Sequence, residues 1–540
     1  MNESNWPRGS TPEEYDFPIS TNLAVNMSKV TEILGNSHDL VQRHFIAQGR
    51  RLGLLFIDEL ASKTVVDNDI LRTLMLEVQM AEAGGISPSC ALEQLERHAL
   101  TIGQVKEARS MADVISAILD GDTAIFGEGW TRALLAGTRG FEKRAIEEPV
   151  SEPAVRAPRE GFTEDLRTNA SLIRRRLKTP DLRVHTARLG ARTRTQVEMI
   201  YIHGLARQEV VDEVRHRLQS IEIDGILESG YIEELIEEAP WSPFPQIAHT
   251  ERPDKVVGDL LNGAVCILTD GTPFALLAPV TMVRFFQVPE DYNERWPVAI
   301  GVRMFRLIAF FTALLLPALY VALTTFHQEM LPTQLAVSLA AQRERVPYPA
   351  VVEALIMQII FEILLEGGVR LPRAVGSAVT IVGALVIGQA AVQASLLSAA
   401  MVIVISLTAL ASFTIPAYDM ATAVRMLRLP MIVVAAVLGL FGVLMGFLAL
   451  IIHLCSLRSF GVPYLGGIAP FFPPYAQKDI FIRVPWWAMF RRTPVAVEPV
   501  REKRGMGHWG SAKKAGGVRE IEAVEAEKAV KRRGKDKNKG

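Results

Sequence analysis

The sequence predicts an α+β soluble N-terminal region of two subdomains, then an all-α polytopic membrane domain and a disordered basic C-terminal tail. Three observations predict it. Charged residues crowd positions 1–300, apolar residues dominate 301–457 and basic residues return over 476–540, although the 540-residue chain carries a net charge of only −1. Strand and helix periodicities mix before residue 298, and apolar helical stretches follow it. Three prolines and alternating charges at 146–160 divide the soluble part in two.

Residues 1–27 read as a disordered N-terminus, with no apolar h-region of a cleaved signal peptide. Over 28–145 a mixed α/β subdomain is expected. In it "LGLLFIDEL" (52–60) is a buried strand and "NDILRTLMLEVQMAE" (68–82) a helix. "ALEQLERHAL" and "IGQVKEARSMADVISAIL" read as two amphipathic helices, and "DGDTAIFGEGW" (120–130) as a turn into a short strand. After the Pro-rich linker 146–160, residues 161–298 form the second, α+β subdomain. "DLRVHTARLG" and "TRTQVEMIYIHG" have strand composition, "RQEVVDEVRHRLQSI" is an amphipathic helix, and 263–280 is a hairpin turning at Asp270–Gly271. No internal repeat is evident.

The membrane domain runs over 299–476, with spans near 307–328, 375–394, 396–416 and 430–457, each long and apolar enough to cross. Segments 350–366 and 460–476 read as amphipathic or re-entrant, and 477–540 as a basic cytoplasmic tail. Arg295, Arg303 and Arg306 precede the first span, while Arg458, Lys478, Arg483, Arg491 and Arg492 follow the last. The positive-inside tendency puts both ends in the cytoplasm, which four or six crossings satisfy.

"VGSAVTIVGALVIGQAAVQA" (375–394) carries two amides that cost several kcal/mol in hydrocarbon unless partnered. At 100° per residue, Val379, Val382, Val386, Gln389 and Gln393 share one face. Gly376, Gly383, Ala384 and Gly388 permit close helix packing, as do Gly439, Gly442 and Gly446 in the last span. The Val/Gln face either lines a pore gated by a valine ring or bonds across helices in an ordinary bundle. Glu353, Glu362 and Glu366 either attract cations to a pore mouth or lie in headgroup water.

Elsewhere, candidate chemistry is thin. Cys90, Cys266 and Cys455 form no CxxC pair and no zinc spacing is present, which fits a reducing compartment; no metal or cofactor is expected. His249, Glu251 and Asp254 in "HTERPD" stand as metal or acid/base groups might, but a turn holding Arg252 against acids fits better. "DGTPF" (270–274) lacks the glycine loop and lysine of a phosphate cradle. Arg174, Arg175 and Arg176 read as a solvated or interdomain face, and His453 and Cys455 point apart. With no nucleophile–base pair, an enzyme is not expected.

Several strings together resemble the A subunits of the GerA-type nutrient germinant receptors of endospore-forming bacteria. These are "REGFTEDLRTNASLIRRRLKTPDLRV" (159–184), "WSPFPQIAHTERPDKVVGDLLNGAVCILTDGTPFALLAPV" (241–280), "FFQVPEDYNERW" (285–296), "GVRLPRAVGSAVTIVGALVIGQAAVQA" (368–394) and "SLRSFGVPYLGGIAP" (456–470). The likeness covers about residues 28–493. It implies a multi-pass protein of the spore inner membrane, with the N-terminal domain and tail on the core side. Its partners would be membrane lipid, a transporter-like B subunit and a C-type lipoprotein subunit, with no specific nucleic acid. It further implies a homo-oligomer, a pentamer, forming a nutrient-gated channel that releases monovalent cations, with 375–394 as the pore helix. The long basic tail departs from the family. An accessory germination channel subunit not tied to a nutrient receptor would look similar; a membrane-anchored scaffold and a transporter component are further alternatives.

Overall fold

The computed structural model describes residues 15–47, 50–58, 60–72, 74, 105–140, 148–149, 151–154, 156–370, 388–468, 479–480 and 482–486. Two five-stranded antiparallel sheets come first. Strands β1 (Leu40–Ala47), β2 (Arg50–Ile57), β3 (Val105–Ala108), β4 (Thr123–Gly127) and β5 (Ala133–Ala136) lie in the order β1-β2-β4-β5-β3. Strands β6 (Leu182–Leu189), β7 (Thr195–Ile202), β8 (Ala248–Thr250), β9 (Val265–Thr269) and β10 (Ala275–Ala278) lie in the order β6-β7-β9-β10-β8.

The two orders are the same order. Helices fall at matching places: α1 (Leu23–Ile33) and α3 (Leu166–Arg176) precede each first strand, and α2 (Met111–Leu119) and α6 (Pro253–Leu260) lead into each fourth. Residues 105–136 match 247–278 without a gap, both ending in "ALLA". Gly121 and Gly263 turn the chain into the fourth strand at the same φ of +93°, a conformation that favours glycine. The sheet-containing N-terminal region is therefore a duplication that the sequence pattern did not disclose.

Three readings need correction. Ile19, Leu23 and Met27 are buried in the core of the first repeat, so order begins well inside the 1–27 segment. Residues 105–108 of the second amphipathic helix are instead strand β3, paired in register with β5; the helix begins at Met111, with the Ser110 hydroxyl accepting from the Asp113 amide at 3.2 Å. The linker is a strap fastened to the second repeat, since Glu152 accepts from Thr250 and pairs with Lys255 at 2.9 Å, while Arg252 donates to the Glu152 and Pro158 carbonyls. Of 68–82, residues 68–72 lie in a π-helical turn, Val66–Arg72, and most of the remainder lies outside the described residues.

The hairpin at Asp270–Gly271 forms as expected, with β9 and β10 antiparallel and Gly271 at a φ of +86°. Helices α4 (Gln208–Gln219) and α5 (Ser229–Ile236) cover one face of the second sheet. Its other face packs into a core that continues through Phe285 and Phe286 into the helical block. The repeats join at a buried ion pair: Arg174 of α3 donates from Nε to Asp39 at 2.7 Å, with both side chains all but inaccessible.

The helical block holds α7 (Trp296–Thr325), α8 (Thr333–Arg343), α9 (Ala350–Arg370), α10 (Ala399–Phe413) and the run α11 (Tyr418–Ser456). By length and composition α7 and α11 suffice to cross a membrane. Yet α11 is not one rod. Its 39 residues would reach ~58 Å if straight, whereas both ends touch the second sheet subdomain: Asp419 lies 3.0 Å from His249, and His453 lies 2.9 Å from Ser242.

The reversal is at Gly439, whose φ of 63° and ψ of −143° are non-helical. A Cβ there would meet His327 at 2.9 Å, Gly442 sits against the Val434 carbonyl, and Gly446 sits against Met431. Two arms, 418–438 and 440–456, thus fold back on each other. This corrects the single span over 430–457: Gly442 and Gly446 do pack helices, but the two are arms of one hairpin.

Candidate functional site

The expected pore face falls mostly outside the described residues, where Val379, Val382, Val386, Gly376, Gly383 and Ala384 all lie. Residues 388–393 are helical. Gly388 is buried, its missing Cβ 3.7 Å from Val402 of α10, whereas Gln389 and Gln393 are both exposed. The helix therefore rests its small residue on the chain's own bundle and leaves its amides facing away from any described partner.

The three glutamates separate. Glu353 is fully buried and accepts from the amide and hydroxyl of Ser398, at 3.1 and 2.8 Å. Ser398 caps α10 through the Met401 amide, so Glu353 places its carboxyl group at a helix N-terminus. Glu362 is exposed and pairs with Arg425 at 3.4 Å, and Glu366 is exposed near it. Helix α9 packs against α10 and α11 and does not lie alone along a surface.

Sequence reasoning missed the arginines. Arg428 is completely buried and is held by neutral acceptors, the Ala313 carbonyl at 2.7 Å, Gln358 at 3.0 Å and the Ser412 hydroxyl at 2.6 Å. It ties three helices of the block to one another. Arg303 and Arg306, counted among the basic residues that precede the first span, converge on buried Asp291, and Arg303 also reaches Asp479 at 3.1 Å. Arg483 is buried too. These charges brace the junction of helices and sheets, so the orientation argument keeps exposed Arg295 and Arg458. Lys478, Arg491 and Arg492 lie outside the described residues. An unexplained arginine inside an apolar run was the available signal.

At the other side of that junction, His249 leaves the "HTERPD" group. Arg252 is buried against Asp254 at 3.2 Å as the turn reading required, but His249 turns to Asp419 and Glu233. Burial raises the Glu233 carboxyl to about 7, with nearby Asp419 and Glu237 adding to it. Burial pulls the His249 imidazole down, but its hydrogen bond to Asp419 outweighs that and raises it above the ordinary value. Arg174 makes the joint between the repeats and Arg176 pairs with Glu160 at 2.6 Å, an interdomain face as expected. His453 bonds Ser242 while Cys455 is exposed, so the two do not converge.

A duplicated α+β domain, its second half fused by a shared core to an apolar helical block, defines the class of protein. The family model for the Bacillus/Clostridium GerA spore germination protein matches residues 28–495, and the chain belongs to that family. Spore germination protein KA of Bacillus subtilis (strain 168) is 48% identical over 478 residues, covering 88% of this chain and 86% of that one. The uncharacterized membrane protein YfkQ of the same organism is 43% identical over 92% of this chain and 95% of its own. A crystal structure of the N-terminal domain of the A subunit of the Bacillus megaterium spore germinant receptor GerK3 matches 49% of this chain and 97% of its own, at 35% identity and a TM-score of 0.39.

Proposed function

We propose that this chain is the A subunit of a nutrient-gated germination receptor of the spore inner membrane. In this reading identical subunits, five to a ring, bring their 375–394 helices together around a conduit for monovalent cations. A B-type transporter-like subunit and a C-type lipoprotein complete the receptor. The observation that carries the reading is the exposure of Gln389 and Gln393 beside a buried Gly388. In a bilayer these amides need water or a neighbouring subunit. A ring around a hydrated axis supplies both, and valine at 379, 382 and 386 would close it by dewetting.

The route of the chain supports an even number of crossings. Helix α7 leaves the sheets and ends beside the Gly439 tip. Glu353 at the start of α9 lies near Arg343, and Glu362 further along meets Arg425, close to the sheet end of α11. Helix α10 starts back at Ser398 beside Glu353, and the two arms of α11 go out and return. With 375–394 this makes six passes and keeps the sheets and the tail on one side, the core side. Substituting Val386→Ser tests the reading: spores should lose monovalent cations and dormancy without nutrient. A stably expressed variant that retains ions like its parent overturns the pore assignment. A second reading is an accessory channel subunit of the same family; neighbouring B- and C-type coding sequences would decide against it.

A further inference from the structure

Glu233 of α5, His249 of edge strand β8 and Asp419 in the first turn of α11 come from three elements and meet between the second sheet and the hairpin. One donor atom from each lies within 4.8 Å of the other two. His249 and Asp419 alone would make a complete ion pair at 3.0 Å. Glu233 is the residue that pair does not explain. Its carboxylate has no hydrogen-bond donor among the described residues, and it stands close to the Asp419 carboxylate, so that two carboxylates share the single charge that His249 can supply. Lys255, whose charge reaches His249, is already paired with Glu152 at 2.9 Å.

An imidazole nitrogen and two carboxylate oxygens are the donor set of a first-row divalent ion such as zinc. Such an ion holds its ligands at roughly 2.1 Å, so tetrahedral donors stand ~3.4 Å apart. The His249–Asp419 pair is already near that spacing, and Glu233, whose donor atom lies within 4.8 Å of both, joins it by a side-chain adjustment. The His249 and Asp419 side chains are 30% and 33% exposed, which leaves the ion open to water on its remaining positions. We propose that Glu233, His249 and Asp419 form a binding site for a first-row divalent cation that clamps the second sheet subdomain to the foot of the helical hairpin.

The test uses full-length, tag-free protein in detergent, stripped with chelator and titrated with Co2+ as a spectroscopic probe, then with Zn2+ in competition. One Co2+ per chain is expected, with visible bands from nitrogen and carboxylate ligation that Zn2+ abolishes. Glu233→Gln keeps the size of the side chain and the His249–Asp419 pair, and should weaken binding at least about tenfold. His249→Ala and Asp419→Asn should weaken it further, and His216→Ala, at an exposed histidine, should change nothing. The proposal fails if stripped wild-type protein takes up no more Co2+ than the triple variant. It fails equally if Glu233→Gln binds as tightly as wild type, a result that would leave only an ion pair. Size-exclusion profiles check folding, and should His249→Ala misfold, Glu233→Gln remains decisive.

Discussion

The two sheets share one topology and differ in what lies against them. The first repeat closes its two faces with its own residues, Val114 and Ile118 on one side and Leu54, Ile70 and Trp130 on the other. The second closes one face with α4, α5 and Phe460, and gives the other to a core that runs on into α7, α9, α10 and α11. Among the described residues one copy of the fold encloses its own core, and the other is the base of the helical block. Duplication thus gives the two copies different surroundings: the inner copy shares its core with the helices, and the outer copy joins the inner one at Arg174.

The largest expected effect comes from emptying one core residue on each side of that difference. Phe126 is completely buried in the first repeat, while Phe286 meets Phe310 of α7 edge-on with ring centres 5.2 Å apart. Replacing either by alanine should cost about 3–5 kcal/mol. Limited proteolysis of the full chain in detergent should show Phe126→Ala opening the first repeat alone and Phe286→Ala loosening the helices as well. Helices equally protected in both variants would break the comparison.

Next is the joint. Arg174→Met leaves Asp39 buried without its cation and should destabilise by about 3 kcal/mol, splitting chemical denaturation into two transitions as the outer repeat uncouples. Adding Asp39→Leu should recover most of the loss, because the stranded charge is then gone. A single unchanged transition in the Arg174 variant would show the repeats held together by other contacts.

The smallest effect sharpens the same joint. Glu198 of β7 is buried, one of its carboxylate oxygens has no partner, and burial together with nearby Asp39 raises its carboxyl from 4.5 to about 7. A raised carboxyl binds its proton more tightly in the folded state, so the folded chain holds more protons than the unfolded one between those values. Stability on this account falls as pH rises through that window and is lowest above it. Glu198→Gln should therefore melt like wild type at pH 4.5 and gain about 2 kcal/mol at pH 8. Equal melting temperatures at both pH values would remove Glu198 from the joint.

Much of the scaffold was legible in the residues. Strand composition marked β6 and β7, Asp270–Gly271 marked the β9–β10 turn, and the pattern of "RQEVVDEVRHRLQSI" marked α4, because each depends on neighbours a few positions away. Strand β3 was lost because four residues at a sheet edge carry too little alternation to outvote the helix that follows. The duplication was lost because its two copies share burial patterns more than residues: Phe126 stands where Leu268 stands, and Ile125 where Ile267 does.

What the sequence by itself determined is therefore the local and the apolar: which segments form strands or helices, which stretch avoids water, and the family to which these strings belong. Tertiary structure alone decided that Tyr418–Ser456 doubles back at Gly439, that Arg428 lies among neutral acceptors, and that His249 faces Glu233 and Asp419 instead of its sequence neighbours. The reason is physical. Periodicity records how a side chain faces along its own element, whereas the partner it meets from more than a hundred residues away depends on how all the intervening elements pack.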